Sequence, residues 1–206
     1  MREDILVTKQ EKLEKLREVF GEAYPEKTAR THLIAEALSN FDALSTDGTV
    51  VTIVGRVRSL RMMGKIGFVH LEDGSGKMQV FLSEQVTGAD KLKLFADTIE
   101  IGDFVEATGK VFLTKKEEKT VEVAEWKVLG KSMRPIPTEY FGLEDEEEKL
   151  RRRYLDLLMN PETRELFVKK NRFWQTVRTL LANEKFLEVQ TPVLEHIPGG
   201  AEAEPF

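Results

Sequence analysis

Three apolar, β-branched runs follow one another between residues 49 and 82, and they constrain the fold more than any other part of the sequence. The pattern predicts strands at Val50–Leu60, Ile66–Leu71 and Met78–Leu82. The connection Asp73-Gly74-Ser75-Gly76-Lys77 is typical of a hairpin turn. Gly55 interrupts the first strand, which indicates a bulge or a sharp bend. A long, bent strand followed by a tight hairpin is how a small Greek-key barrel begins.

Later segments supply the remaining elements of such a barrel. The sequence predicts a helix at Thr87–Thr98 and strands at Phe104–Leu113 and Thr120–Leu129, with the polar loop Thr114–Lys119 between these two strands. In the last strand Val121 and Val123 share one parity, and Trp126 and Val128 share the other. Either a bulge near Ala124 brings both pairs to the core, or one pair is exposed. Five strands with a helix between the third and the fourth predict an OB-fold.

Helices are predicted on both sides of this barrel. Asp4–Phe20 is amphipathic, with Leu6, Leu13, Leu16 and Phe20 on one stripe and Gly21 as its stop, and Thr31 would cap a short helix that runs to Phe41. Two prolines make Met133–Pro137 a stiff connector. Beyond it we expect a charged helix at Glu144–Met159, a second from Asn160-Pro161 to about Glu184, and a strand at Phe186–Gln190. The expected domains are residues 1–48, 49–132 and 133–206, and the fold class is mainly β with helices.

Strand alternation predicts which side chains of the hairpin face solvent. Phe68 and Gln79 have the parity opposite to the apolar core positions, so we expect them to share an exposed surface. Five basic residues are close in sequence, namely Arg56, Arg58, Arg61, Lys65 and Lys77. A ring that stacks on a base, an amide that reads a base edge and cations that hold phosphates suit single-stranded RNA. The alternative is that Phe68 belongs to a second small core and that the cations form an ordinary solvated edge.

Composition narrows the class of protein further. The net charge is −5, but residues 49–130 are neutral overall, and a local basic cluster matters more than the total because salt screens charges beyond about 10 Å. With no cysteine, and with His32, His70 and His196 far apart, the sequence predicts no disulfide and no metal site. It contains no apolar run of membrane-spanning length and no signal-peptide pattern, so we expect a cytoplasmic protein without a membrane span.

Several motifs resemble those of class II lysyl-tRNA synthetases. They are RRRYLDLLMNP (Arg151–Pro161), KFLEVQTPVL (Lys185–Leu194) and PGGAEAEPF (Pro198–Phe206), and the likeness extends back through MRPIP and GKIGFVHLEDGSGKMQVF to the N-terminal helix. The helix that leads towards Pro192 resembles motif 1 of that class, which is a dimer-interface element. The PGGA run resembles the lysine branch, whereas aspartyl and asparaginyl enzymes typically have Glu-Gly-Ala there.

The resemblance implies an N-terminal OB domain that binds the anticodon of lysine tRNA, followed by the start of a catalytic domain. Matched by position, Phe68 would stack on the central anticodon uridine, Gln79 and Glu125 would read uridine edges, and Arg61 would contact the anticodon loop. Lys65 is expected to contact phosphate beside them. The full-length enzyme would activate lysine with ATP and Mg²⁺ and would form a homodimer through motif 1.

Catalysis is where the sequence departs from the family. Motifs 2 and 3, which hold ATP and the lysine carboxylate, should lie beyond Phe206, so we expect a truncated, inactive piece without catalytic residues or a bound cofactor. Gly199 and Gly200 match the backbone of the lysine pocket, but Glu202 and Glu204 stand where basic or small residues are common. The alternatives are a stand-alone OB-fold RNA-binding module and an aspartyl- or asparaginyl-type enzyme, although PGGA argues against the latter.

Overall fold

The structure, a computed structural model, describes residues 2–136 and 145–191. The chain divides into two compact units, Met1–Ile136 and Pro137–Phe206. The division falls inside the segment Met133–Pro137 that the sequence predicts to be a stiff connector.

A closed five-stranded barrel forms the first unit. Its strands are β1 (Val50–Met63), β2 (Ile66–Glu72), β3 (Lys77–Ser83), β4 (Phe104–Leu113) and β5 (Lys119–Gly130). They are arranged in the order β1-β2-β3-β5-β4, and β1 pairs with β4 to close the barrel. The β3–β5 pair is parallel and the other pairs are antiparallel. This arrangement confirms the predicted OB-fold.

Four helices flank the barrel, namely α1 (Arg2–Phe20), α2 (Ile34–Ser39), α3 (Phe41–Asp47) and α4 (Ala89–Thr98). Helix α1 packs on the barrel, since Leu13 and Leu16 are buried in the core that the strands form. The Trp126 ring of β5 lies 5.1 Å from the ring of Phe20 and 4.9 Å from that of Phe95 in α4. The first unit therefore has one core that includes its N-terminal helix.

One position of the predicted apolar stripe of α1 is wrong. Leu6 is exposed, and Lys9 is buried instead. The amine of Lys9 lies 3.0 Å from a carboxylate oxygen of Glu100, in the segment between α4 and β4, and this ion pair offsets the cost of burying the charge. The predicted stop is confirmed, because Gly21 has a φ of 75° and its N–H donates to the Arg17 carbonyl.

A bulge in β5 resolves the ambiguous parity of that strand. Thr108 pairs with Glu125 and Gly109 pairs with Val123, so Ala124 is the extra residue, as one of the two alternatives predicted. The bulge turns Trp126 to the core and leaves Glu125 exposed. Gly109 is required opposite it, since a Cβ at this position would lie 1.8 Å from the Glu122 carbonyl oxygen.

The bulge in β1 lies at a different residue from the one expected. Val57 pairs with Leu71 and Ser59 with His70, so Arg58 is the extra residue rather than Gly55. Gly55 instead permits a close approach of strands, because a Cβ there would meet the backbone nitrogen of Glu72 at 2.9 Å.

The start of the short helix before the barrel also differs from the prediction. Helix α2 begins at Ile34, and its first free N–H groups are satisfied from the β2–β3 turn: Ile34 N donates to Asp73 Oδ2 at 3.0 Å and Ala35 N donates to Ser75 Oγ at 3.0 Å. Thr31, the expected cap, instead bonds to Thr52 of β1 through its backbone and hydroxyl. The N-terminal cap of α2 is thus provided by Asp73 and Ser75 of the β2–β3 turn, which are distant in sequence, and not by Thr31.

The described part of the second unit is helical. It contains α5 (Glu146–Arg151), α6 (Arg153–Met159) and α7 (Pro161–Asn183), so the helix predicted at Glu144–Met159 is broken at Arg152. Asn160 caps α7 as expected, since its Oδ1 accepts from the N–H groups of Glu162 and Thr163. The predicted strand at Phe186–Gln190 is wrong, because these residues pair with no strand in the described ranges. No helix within residues 2–136 or 145–191 is long and apolar enough to cross a membrane.

Candidate nucleic-acid interface

A row of side chains crosses the outer face of the barrel from β1 to β5. In the strand register Arg61 lies opposite Phe68, Phe68 opposite Phe81, and Phe81 opposite Glu122. Directly paired residues project from the same face of a sheet. The structure thus brings the predicted residues Arg61 and Phe68 to one surface and adds Phe81 between Phe68 and β5.

Three aromatic rings, which we call the aromatic row, dominate this surface. The rings of Phe68 and Phe81 are 4.9 Å apart and tilted by 41°, and Phe112 of β4 continues the row with its ring 5.9 Å from that of Phe81. All three side chains are half-buried. Half-buried rings that pack against one another hold their positions and can serve as a platform on which a base stacks.

Gln79 lies beside the aromatic row but is much less exposed than predicted. Its side chain has the outer-face parity, yet the residue is only 6% exposed. Its Nε2 donates to Thr120 Oγ1 at 2.8 Å, across the parallel β3–β5 pair. The burial comes from this long-range pairing, and it gives the amide a fixed position instead of a flexible one.

His70 connects this face to the loop between β4 and β5. It lies opposite Gln79 in the register, and its Nδ1 is 2.7 Å from Ser59 Oγ of β1. Its Nε2 is 2.8 Å from Glu118 Oε1 of the loop. The histidine therefore joins two strands and the loop at the edge of the candidate interface.

The β4–β5 loop carries cations next to this face. Lys115 and Lys116 are exposed, and the loop is closed by Glu117 N–H donating to the Thr114 carbonyl and by Thr114 N–H donating to the Glu118 carbonyl. In OB-folds this loop and the β2–β3 surface are the parts that contact oligonucleotides. Loop lysines placed here can reach phosphates of a strand that lies on the aromatic row.

Only some of the five predicted basic residues are exposed side by side. Arg61 is exposed and forms no ion pair within the described residues, while the Lys65 side chain is 84% exposed and lies 2.9 Å from Glu84. Lys77 is exposed. Arg58, the bulge residue, is buried with its Nε 3.0 Å from Glu72, so its assignment to an RNA-facing cluster is wrong.

Arg56 is the second predicted cation that does not lie with Arg61, Lys65 and Lys77. Its guanidinium lies 4.3 Å from the centroid of the Phe104 ring, on the side of β1 that faces β4. Burial and the neighbouring Arg58 lower its pKa, against the opposing effect of Glu72. Arg61, Lys65 and Lys77 remain as the cations of the β1–β3 face.

Glu125 is exposed but lies apart from the aromatic row. It is three residues beyond Glu122, past the Ala124 bulge, and its carboxylate is paired with the Lys91 amine of α4. Both side chains of this pair are about half exposed or more, at 49% and 65%. Exposed ion pairs contribute only about 0–1 kcal/mol, so a base edge that donates hydrogen bonds can compete for the carboxylate.

Four further residues of this face were not predicted as site residues from the sequence, namely His70, Phe81, Phe112 and Thr120. Phe81 and His70 have the same outer-face parity as Gln79 and Phe68 in their strands, so alternation alone could have found them. Phe112 and Thr120 reach this face only through the β4–β5 and β3–β5 pairings. No local pattern indicates those pairings.

The residues predicted for the lysine pocket cannot be placed. The predicted lysine-pocket residues Gly199 and Gly200, and also Glu202 and Glu204, lie outside the described residues. Within the described ranges there is no group of three or more histidine or acidic side chains that could hold a metal ion.

Each unit contains a segment that matches a known protein family. Residues 51–129 match the OB-fold nucleic acid binding domain, and residues 145–206 match the class II tRNA synthetases (D, K and N). The chain therefore joins an OB-fold nucleic-acid-binding domain to a class II tRNA synthetase region. The first match covers the five strands except for Val50 and Gly130, and so includes the aromatic row and Gln79.

Curated relatives extend over nearly the whole chain. The lysine–tRNA ligase of Carboxydothermus hydrogenoformans is 43% identical over 203 residues, which are 98% of this chain and 41% of that protein. Those of Roseiflexus sp. and Laribacter hongkongensis are 44% and 39% identical, and the matches cover 95% and 98% of this chain. The chain spans about two fifths of the length of these relatives.

Proposed function

We propose that this chain is the anticodon-binding part of a lysine–tRNA ligase and that its aromatic row and Gln79 receive the anticodon loop of lysine tRNA. The observation that carries the proposal is the outer face of β1–β3, where Arg61, Phe68 and Gln79 lie together. The OB-fold match and the similarity to lysine–tRNA ligases support it. Unstacked loop bases are what such a surface recognises.

Each predicted site residue has a role in this proposal. Phe68, supported by Phe81, stacks on an anticodon uridine, and Arg61 and Lys65 contact the loop phosphates. Gln79 and Glu125 accept hydrogen bonds from uridine edges. A carboxylate near phosphate is repelled unless it pairs with a donor, so a uracil N–H suits Glu125 better than a backbone contact does.

The whole enzyme is proposed to activate lysine with ATP and Mg²⁺, which supply the adenylate chemistry, and to transfer lysine to its tRNA. The printed names of the relatives and the class II match support this assignment. The 206-residue chain alone is proposed to be inactive, because adenylate formation needs several groups that converge on the α-phosphate and the lysine carboxylate. A cytoplasmic location accords with a role in protein synthesis.

Helix α7 is proposed to contribute to a homodimer of the full enzyme. Large apolar side chains of α7 are exposed, among them Leu166, Phe173, Trp174, Leu180 and Leu181. Several exposed large apolar side chains on one helix are typical of protein–protein contacts. Within the proposed domains, residues 1–48 act with the barrel at 49–132, since α1 shares its core, and residues 133–206 belong to the synthetase region.

Titration with RNA stem-loops tests the proposed function. The probes are a stem-loop with the lysine anticodon and an otherwise identical stem-loop in which the three anticodon bases are replaced by cytidines. We expect the chain to bind the first at least tenfold more tightly, because an interface that reads base edges discriminates by a few kcal/mol. Equal affinity for both stem-loops at physiological salt would contradict anticodon recognition.

A further inference from the structure

A single buried hydroxyl determines which way the Gln79 amide points. Thr120 is completely buried, and its Oγ1 lies 2.8 Å from Gln79 Nε2 and 3.0 Å from the backbone carbonyl oxygen of Glu118. A carbonyl oxygen can only accept, and a hydroxyl has one proton to donate. In the structure the Thr120 hydroxyl donates to the Glu118 carbonyl, which also accepts from the Thr114 N–H, and Thr120 accepts from Gln79. With the hydroxyl proton directed to Glu118, the NH₂ group of the amide is the end that faces Thr120.

This arrangement leaves the carbonyl of Gln79 as a fixed acceptor. Its Oε1 accepts no hydrogen bond within the described residues, and it is not among the fully buried polar atoms that lack a partner. The oxygen therefore remains in contact with solvent, although the residue as a whole is only 6% exposed. A nucleic acid on this face meets an acceptor held in place by the protein.

We propose, on the basis of the function proposed above, that Thr120 is a positioning residue that makes the interface selective for bases with a ring N–H. Uracil and guanine carry a hydrogen on the ring nitrogen of the Watson–Crick edge, and this hydrogen can be donated to a fixed carbonyl. Cytosine and adenine carry a lone pair on that nitrogen, so in the same pose they set an acceptor against the carbonyl, and their exocyclic amino group can donate to it only from a shifted pose. Thr120 makes no contact with RNA and acts through Gln79, which reads the edge of a splayed base.

The variants Thr120→Val and Thr120→Ser test this role. Valine has nearly the same shape but no hydroxyl, so the amide can turn round, whereas serine keeps the hydroxyl and loses one methyl group. The probes are the lysine anticodon stem-loop and three variants that each have one anticodon uridine replaced by cytidine. Thr120→Val should reduce the uridine-over-cytidine ratio at one position by about two- to tenfold, which is the worth of one hydrogen bond. Thr120→Ser should retain the ratio.

Each outcome separates the two proposals. If the unmodified chain binds none of these stem-loops, the anticodon-binding function fails. If the chain discriminates and Thr120→Val discriminates equally well, the positioning role of Thr120 is wrong while the function stands. If Thr120→Ser loses the ratio as fully as valine does, the hydroxyl is not the cause and the role is also wrong.

A measurement without RNA keeps the inference testable should the valine variant unfold. In the unmodified chain the Gln79 side-chain NH₂ group should exchange its hydrogens slowly with water, because it is buried and bonded to Thr120. Thr120→Ser should preserve this protection. Fast exchange of the Gln79 NH₂ hydrogens in the unmodified chain would overturn the assigned orientation.

Discussion

At the scale of single residues, two groups of the proposed RNA interface have positions that the protein itself fixes. The ring of Phe68 is packed against Phe81, and the amide of Gln79 is held by Thr120. Side chains that are already ordered lose little conformational entropy on binding, so more of their contact energy contributes to affinity. Arg61 and Lys65 differ, since they are exposed, and in the proposed complex they would contact phosphates without a fixed geometry.

Replacing Phe68 by alanine should weaken binding of the lysine anticodon stem-loop by about fivefold to about 150-fold, because stacking on an aromatic ring contributes about 1–3 kcal/mol per base. Phe104→Ala is the matched control, since Phe104 is an exposed ring that lies against Arg56 rather than in the aromatic row. Titration of both variants should show a loss for the first only. An unchanged affinity of Phe68→Ala would leave Phe68 as a packing residue.

Replacing Lys65 by methionine should weaken all stem-loops by the same factor, because a phosphate contact carries no sequence information. The slope of log K against log salt should fall in magnitude by roughly 0.7–1. Lys15→Met in α1 offers a control of equal charge change at an exposed site away from the β1–β3 face. A change in uridine-over-cytidine preference for Lys65→Met would show that the residue reads bases.

At the scale of elements, α1 is attached to the barrel by charges as well as by apolar packing. The carboxylate of Glu100 lies 3.0 Å from the Lys9 amine, 2.9 Å from that of Lys12 and 2.8 Å from that of Lys131, which is fully buried. Burial raises the pKa of Glu100, but the hydrogen bonds from the three lysines outweigh it and hold the pKa at about 2. The ionised form of Glu100 thus stabilises the docked helix.

This low pKa predicts the pH range in which the attachment weakens. A carboxyl group whose folded pKa lies below its unfolded value of about 4.5 contributes stability above pH 4.5 and loses it as the pH falls towards 2. The difference in free energy of unfolding between the unmodified chain and Glu100→Gln should therefore shrink over that range. Glu14→Gln, which removes the exposed pair with Arg17, should have a small effect throughout. Denaturant titrations at several pH values measure both, and a constant difference for Glu100→Gln would contradict the assignment.

The sequence predicted features that depend on neighbouring residues and missed those that depend on contacts between residues distant in the chain. The five barrel strands, the β2–β3 turn and the shared face of Phe68 and Gln79 follow from local alternation and turn residues, and all are present, unlike the strand predicted at Phe186–Gln190. The burial of Gln79 could not be predicted in this way, because it depends on the parallel pairing with Thr120, which is 41 residues away. The cap of α2 by Asp73, 39 residues from Ile34, was missed for the same reason.

At the scale of the whole molecule, RNA binding is proposed to need only the OB-fold unit, whereas lysine activation is proposed to need the full-length enzyme. The 206-residue chain should bind the anticodon stem-loop and yet show no lysine-dependent exchange of pyrophosphate into ATP. The reason is that the proposed stacking surface lies wholly on the β1–β3 face, whereas adenylate formation requires several groups that converge on the α-phosphate and the lysine carboxylate. Exchange activity that persists in the pure chain and depends on lysine would refute this part of the proposal.

The central claim is that the anticodon loop lies on the β1–β3 face, and nuclear magnetic resonance footprinting of the intact chain tests it most directly. On addition of the lysine anticodon stem-loop, we predict the largest shifts in the signals of Arg61, Phe68, Gln79 and Phe81. Signals of Phe104 and Tyr24, which lie beside Gly130 at another part of the barrel, should change little. Shifts centred on Phe104 and Tyr24, with Phe68 and Gln79 unaffected, would contradict the account.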